Sequence, residues 1–335
     1  MKAHYNRARH LHVLIPGEYS RPKSLSESNL ASIRMRSGLA ASFLGAAGWK
    51  ASIGEIVSGD PDVILVGKIG AHDIAQRTPD WIRKLQEAKG KKCKVLVDYT
   101  DNHLGFDSPM SPFYSSALEI ADHFVAPGIF LAQQLANRSE KRIVLIPDPI
   151  EVPVMPVKSG KPNSPIRALW FGHRTNISYL VDFIERELRA EYTLEILVLS
   201  DEFALNALRS HQFRTAAGVT LSLVPWSLKN LISASQISDF CIIPSDPNDP
   251  KKAGASSNRL VTALALGLPT AVDLLPSYAD FSDFVVEIQS QKFSEFLRNP
   301  EIMNRKTTVA QQEVIPNFIP SAIGRQWVDL IDSII

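Results

Sequence analysis

The sequence is poor in the features that mark a disulfide scaffold, a membrane span or a nucleic-acid binder. Its 335 residues include two cysteines, Cys93 and Cys241, too few for a disulfide framework or a structural zinc site. The longest nearly apolar stretches, such as Leu260–Leu268, fall far short of the roughly 20 residues that cross a bilayer. Neither sign of charge dominates: 36 Lys and Arg stand against 35 Asp and Glu, a net charge of +1. That balance removes the electrostatic drive of a general nucleic-acid binder. The basic N-terminus, MKAHYNRARHLHVLIPGE, has an apolar run of only about five residues and no small-residue cleavage site after it. No G-x-G-x-x-G follows either first strand pattern, and G-x-x-x-x-G-K-[ST] is missing throughout. A dinucleotide oxidoreductase or P-loop phosphotransferase therefore has no motif support. G-x-S-x-G is missing too, which argues against a hydrolase. The expectation left standing is a soluble, cytoplasmic protein of two domains.

What is present is a strand-helix grammar, written twice. LHVLIPGE (11–18), a weak strand at 51–56, PDVILVGKIG (61–70), KVLVDY (94–99), DHFVAP (122–127) and RIVLIP (142–147) read as strands. Helical patterns at about 29–48, 72–88, 113–121 and 128–138 separate them. In the second half, RALWFGH (167–173), LEILVLS (194–200), VTLSLVPW (219–226), DFCIIPS (239–245) and LPTAVD (268–273) are the strands. Helices are predicted at 175–188, 202–210, 228–237 and 256–267, the last with a serine cap and a terminal glycine, and in the tail from about Phe293. Continuous apolar runs, as opposed to alternating ones, fit parallel strands covered on both faces.

The stretch PDPIEVPVMPVKSGKPNSP (147–165) holds six of the 22 prolines and suits neither a central strand nor a helix interior. The architecture predicted is α/β: two Rossmann-like, doubly wound parallel-sheet domains in tandem. They are an N-terminal domain at 1–150, a semi-rigid linker at 151–165, a C-terminal domain at 166–315 and a final helix at 316–335 packing back on the first domain.

Ligands of such sheets sit beyond the carboxyl ends of the strands, and two facing domains would make a cleft there. DYTDNHLGFDSP supplies three titratable groups, Asp98, Asp101 and His103, suited to acid-base work on a cleft wall. Turn chemistry alone accounts equally well for Asp101 and Asn102. Metal binding by this trio has no support, because no further His or Cys stands at ligand spacing. In PSDPNDPKKAGASSNRLVTALALG (244–267), Lys251 and Lys252 precede a helix whose first turn, around Ser256, Ser257, Asn258 and Arg259, would attract a diphosphate. The competing reading is an ordinary serine cap behind a solvated loop. In FGHRTN (171–176), Gly172 allows a tight turn, Thr175 can cap the helix, and His173 and Arg174 project outward, with Arg suited to forked contacts with phosphate. Trp49, Trp81, Trp170 and Trp226 read as packing residues. Arg34 and Arg36 are ambiguous between surface charge and acceptor contact. KGKKCK (89–94) reads as a solvated loop, with contact to anionic lipid headgroups as the alternative.

PSDPNDPKKAGASSNRLVTALALGLPTAVD resembles the donor-binding segment of glycosyltransferases with the GT-B fold. ALWFGHRTNISYLVDFI is similar to the glycine turn that opens their second domain, and ADHFVAPGIFLAQQLANRSEKRIVLIPDPIEVP to the elements that close their first. The resemblance implies that Arg174 and Lys252 meet a donor diphosphate and that the Ser256–Arg259 turn lies over the nucleotide or sugar. It implies that the Asp98–His103 loop faces the transferred sugar and the acceptor, and that Gly17–Ser20 flanks the donor phosphates. Retaining members usually carry two glutamates, the second on the helix before Gly-Leu-Pro; this chain has Gly254 and Thr262 in those places.

The function so implied is metal-independent transfer of a sugar from a nucleotide-activated co-substrate to a glycan, lipid-linked or small-molecule acceptor, with no other cofactor and no nucleic-acid partner. Bacterial surface-polysaccharide assembly, with the enzyme touching a membrane to reach a lipid-linked glycan, is the setting this class suggests. A nucleotide-sugar epimerase on the same scaffold, or a nucleotide-sugar-binding protein without turnover, is the alternative.

Overall fold

The computed structural model describes residues 8–17, 25, 27–28, 30–57, 59–69, 74–158, 165–187, 193–213, 218–299 and 301–335. The chain divides into two compact units: Met1–Pro149 with Ala253–Ser256 and Pro320–Ile335, and Ile150–Lys252 with Ser257–Ile319.

In the first unit the apolar runs become six parallel strands, β1 (His10–Leu14), β2 (Lys50–Ile53), β3 (Val63–Val66), β4 (Lys94–Asp98), β5 (His123–Ala126) and β6 (Arg142–Leu145), in the order β2-β1-β3-β4-β5-β6. Side chains alternate across a strand, so each buried run serves two cores. Leu14, Ile64, Val66, Val95 and Val97 pack with Trp81 and Leu85 of α2 (Ile74–Gly90), Phe113 and Ala117 of α3 (Ser111–Ile120), and Leu131 and Leu135 of α4 (Ile129–Ala136). Leu11, Val13, Val63, Leu65 and Leu96 face the other way, towards Ala40, Ala41 and Leu44. The last three lie at or beyond the start of α1 (Leu39–Ala46), which continues a π-helical turn over Ile33–Gly38.

The second unit repeats the plan with β7 (Ile166–Phe171), β8 (Leu194–Ser200), β9 (Val219–Pro225), β10 (Phe240–Ile243), β11 (Thr270–Val272) and β12 (Val285–Glu287), all parallel, in the order β12-β11-β10-β7-β8-β9. Its helices are α5 (Ile177–Asp182), α6 (Glu202–Ser210), α7 (Leu228–Ile237), α8 (Asn258–Ala265), α9 (Gln291–Arg298) and α10 (Glu301–Glu313). The three-residue β12 is not among the strands read from the sequence, although FVVEI (284–288) carries a short apolar run there.

The proline-rich stretch is described to Lys158, and from Ile150 onward it lies in the second unit. There it satisfies the carbonyls that end α8. Met155 N–H donates to Ala265 O at 2.7 Å and Lys158 N–H to Gly267 O at 3.3 Å. Gln311 Nε2 reaches Met155 O at 2.8 Å and Leu264 O at 2.9 Å. Gly267 ends the helix in the left-handed region, φ +73°, and a Cβ there would stand 2.3 Å from Pro156 O. The final helix, α11 (Pro320–Ser333), belongs to the first unit, where Ile323, Trp327, Leu330 and Ile331 join the core beside α1.

Candidate functional site

In the first unit, chemistry gathers where β3, β4 and β6 end. The π-helical turn sends Arg36, 1% exposed, beneath these ends. Its Nε and Nη2 grip both oxygens of Asp98 at 2.7–3.0 Å, while Nη1 donates to Ile146 O and Asp148 Oδ1, both at 2.8 Å. The guanidinium carbon lies 5.5 Å from the centre of the Trp327 ring. Burial works against the charge on Arg36, but Asp98 and Asp148 outweigh it and push the pKa up. Burial likewise raises the Asp98 carboxyl above the usual carboxylate range, opposed by Arg36.

Asp101 sits differently. Its side chain is 38% exposed, and Lys68, just past β3, holds Oδ2 at 2.7 Å. Burial would raise this carboxyl, but Lys68, with His103 and the Thr100 hydroxyl, keeps it below its ordinary range. The same ion pair raises Lys68 against its own burial. His103 is buried. Its ring stacks on Tyr114, with centroids 5.2 Å apart, Nδ1 is 3.0 Å from Ser108 Oγ, and the enclosed Nε2 lies 3.9 Å from Asp101 Oδ2. Burial, only partly offset by Asp101, lowers the imidazole pKa. Of the three residues expected at this loop, Asp98 and His103 are buried and Asp101 alone is partly exposed.

Three donor-side expectations also map to this unit. Gly17, at φ +106°, gives its N–H to the Glu55 carboxylate at 3.1 Å, and Arg77 pairs with the same oxygen; residues 18–20 lie outside the described residues. The Ser256 hydroxyl donates to Asp148 Oδ2 at 2.5 Å. A Cβ on Gly254 would stand 2.5 Å from Leu131 Cδ2, so a glutamate has no room there.

In the second unit the two predicted phosphate segments come together beyond β7. Lys252 Nζ donates to Asn176 Oδ1 at 2.6 Å and sits 5.3 Å from the Tyr179 ring centre. Tyr179 in turn donates to Asp249 Oδ2 at 2.7 Å. Lys251 is exposed, and its N–H donates to Asp249 Oδ1. Gly172 is not in the left-handed region, and its fit is close: a Cβ would lie 3.2 Å from Arg259 Nη1 and 3.3 Å from the Trp170 ring. Arg259 also bears on Tyr278, whose phenol burial raises and Arg259 restrains. Arg174 is exposed; its N–H donates to Asp201 Oδ2 at 3.2 Å, and its guanidinium carbon is 5.4 Å from the Phe203 ring centre.

Some local expectations need correcting. Ser257 is the N-cap of α8 but makes no side-chain cap bond, its ψ of 6° being wrong for one. Thr175 does not cap α5: the N-cap of α5 is Asn176, which makes no side-chain cap bond. His173 Nδ1 accepts from Thr175 N–H at the start of the 3-10 turn Arg174–Asn176 that precedes it. Trp226 is 42% exposed and is no packing residue, because it lies past the end of β9. The sequence reading passed over Lys68, Asn176, Asp148 and Phe203, and left Arg36 unplaced. Two of these carried a signal: Lys68 follows a strand end, and Arg36 falls on the apolar face of its helix at the spacing Ile33, Arg36, Ala40, Leu44. Among the described residues, no group of three or more His, Cys, Asp or Glu could hold a metal ion, and no helix is long and apolar enough to cross a membrane.

The fold is that of the GT-B glycosyltransferases. Sucrose-phosphate synthase from Thermosynechococcus elongatus superposes with a TM-score of 0.64 at 14% identity, over 97% of this chain and 99% of that one. HepE of Anabaena, in complex with UDP and glucose, gives 0.64 at 10% identity over 98% and 100%. The lipopolysaccharide outer core galactosyltransferase WaaB gives 0.60 at 11% identity over 97% and 100%. At such identities the likeness is one of fold. No protein-family model and no curated protein matches the sequence.

Proposed function

We propose that this protein is a glycosyltransferase that takes a nucleotide-activated sugar as donor. The observation that carries the reading is the meeting of Gly172, Asn176, Lys252 and Arg259 beyond the carboxyl end of β7, where open α/β sheets bind phosphorylated ligands. A structure of the same fold is described with UDP and glucose, which supports a nucleoside diphosphate as the leaving group. Arg174, Lys252, Arg259 and the positive end of α8 would stabilise the charge that develops on the departing phosphate, in the place a divalent ion takes in other transferases. Ser256, Ser257 and Asn258 would lie along the nucleotide or sugar. Asp101, kept ionised by Lys68, would accept a hydrogen bond from the acceptor hydroxyl and orient it. Asp98 and His103 would hold that loop in shape. The acceptor is a hydroxyl-bearing glycan, a lipid-linked glycan or a small molecule.

Calorimetry with UDP, GDP and ADP tests the donor half. One of the three binds, and Arg174→Ala and Lys252→Ala each weaken it about tenfold, the loss of one charge-assisted hydrogen bond, with thermal stability unchanged. Unaltered affinity in both variants overturns the assignment. Turnover of the matching nucleotide sugar survives EDTA, and a loss restored by a divalent ion would overturn metal independence.

A further inference from the structure

Phe203 poses a question that packing does not answer. It is a large apolar side chain, 69% exposed, in the first turn of α6, while Ala204, Leu205 and Leu208 of the same helix are buried. Its ring gives nothing to the core. What it touches is Arg174, whose guanidinium carbon stands 5.4 Å from the ring centre, within the range of a cation–π contact.

The loops around this contact are tied so that the two side chains keep company. Ser200 Oγ donates to Gly172 O at 2.7 Å, linking the end of β8 to the turn after β7. Asp201 then divides its carboxylate: Oδ1 accepts from Ala204 N–H at 3.1 Å and caps α6, while Oδ2 accepts from Arg174 N–H at 3.2 Å. One carboxylate therefore fixes both the helix that carries Phe203 and the backbone that carries Arg174. An exposed arginine otherwise gives up rotamer entropy on docking to a phosphate. A ring that already supports the guanidinium lowers that cost and leaves its N–H edge directed outward, because cation–π contact uses the face of the group and not its donors.

We infer that Phe203 is a positioning residue for Arg174, pre-orienting its guanidinium for the terminal phosphate of the nucleotide. The inference rests on the donor-binding role proposed above for Arg174. Phe203 touches no phosphate; it acts through the arginine.

The exposure of Phe203 makes the test clean, since its removal opens no cavity. Affinities for UDP, GDP and ADP, and for the corresponding monophosphates, are measured by calorimetry on the full chain. Phe203→Ala weakens the preferred diphosphate about two- to fivefold, the size of an exposed cation–π contact, and leaves the melting temperature within error. Phe203→Trp retains the affinity, and Phe203→Leu, apolar but without a ring face, does not. In the Arg174→Ala background, Phe203→Ala has no further effect, because both changes remove the same contact. The monophosphate is insensitive to either change.

Wild-type affinity in Phe203→Ala beside a weakened Arg174→Ala overturns the inference and leaves the donor site intact. A loss that persists in the Arg174→Ala background, or that affects the monophosphate equally, also overturns it, and shows that the ring meets the nucleotide directly. If no nucleoside diphosphate binds the wild type, or if both Arg174→Ala and Lys252→Ala bind normally, the donor-site reading falls and this inference with it.

Discussion

Arg36 shows what a single buried cation costs and does. It lies between two carboxylates, with donors spent on Asp98, Asp148 and the Ile146 carbonyl. Replacing it strands two buried acids. Arg36→Met should lose about 3–5 kcal/mol in urea unfolding, the range for breaking a buried pair from one side. Lysine cannot restore it, because a point charge cannot grip Asp98 with two donors and reach Asp148 as well. His12 offers a pH-dependent counterpart. Its ring is wholly buried, bonded to Ser52 Oγ at 2.9 Å and to Gly54 O at 3.0 Å. Burial above all, against the Gly54 carbonyl and with help from His10, lowers its pKa from 6.5 to about 4. In the unfolded chain the same ring takes a proton near pH 6.5, so unfolded molecules bind more protons between pH 6.5 and 4. Stability should therefore fall as pH drops through that window, by up to about 3 kcal/mol. Urea midpoints at pH 7 and 4.5 check this, and His12→Gln should flatten the difference; an equal slope in the variant would assign the acid sensitivity elsewhere.

At the scale of elements, the central strands were legible because parallel strands buried on both faces leave continuous runs such as VILV and VLV, while the edge strands β2, KASI, and β9, VTLSLVP, are broken by polar residues. Helix boundaries followed less directly from Pro and Gly, for Pro79 lies inside α2 and Gly45 inside α1. What the sequence hid are contacts between distant positions. Nothing near Arg36 announces Asp98 or Asp148, 62 and 112 residues away, and nothing in PKKAG announces Asn176. The donor segments were visible because strand ends and helix starts are local features; the partners that fix Lys252 and Asp101 were not, because tertiary pairing is not. The junction of α8 with the proline-rich stretch illustrates the same divide. Gly267 reads as a helix terminator, yet its tightest neighbour, Pro156, lies far off in sequence. Gly267→Ala combines a left-handed φ with a 2.3 Å clash against a carbonyl. It should cost about 1–3 kcal/mol, seen as a lower unfolding midpoint, whereas Gly45→Ala, where nothing lies within 4 Å, should be neutral or slightly stabilising.

For the molecule as a whole, chain order and unit membership do not coincide. The first unit holds the opening 149 residues but draws its last helix from the far end of the sequence. Trp327, Ile323 and Ile331 are wholly buried in that core. Removing residues 320–335 should therefore unfold the first unit selectively. Limited proteolysis ought to cut within 30–149 while 165–319 resists and retains nucleotide affinity; equal protection of both would contradict this division of the core. A ribosome makes residues 10–149 well before Trp327, so the slot that this ring fills stays open while the whole second unit is being synthesised, and the greasy core beneath it closes only once residues 320–333 have emerged.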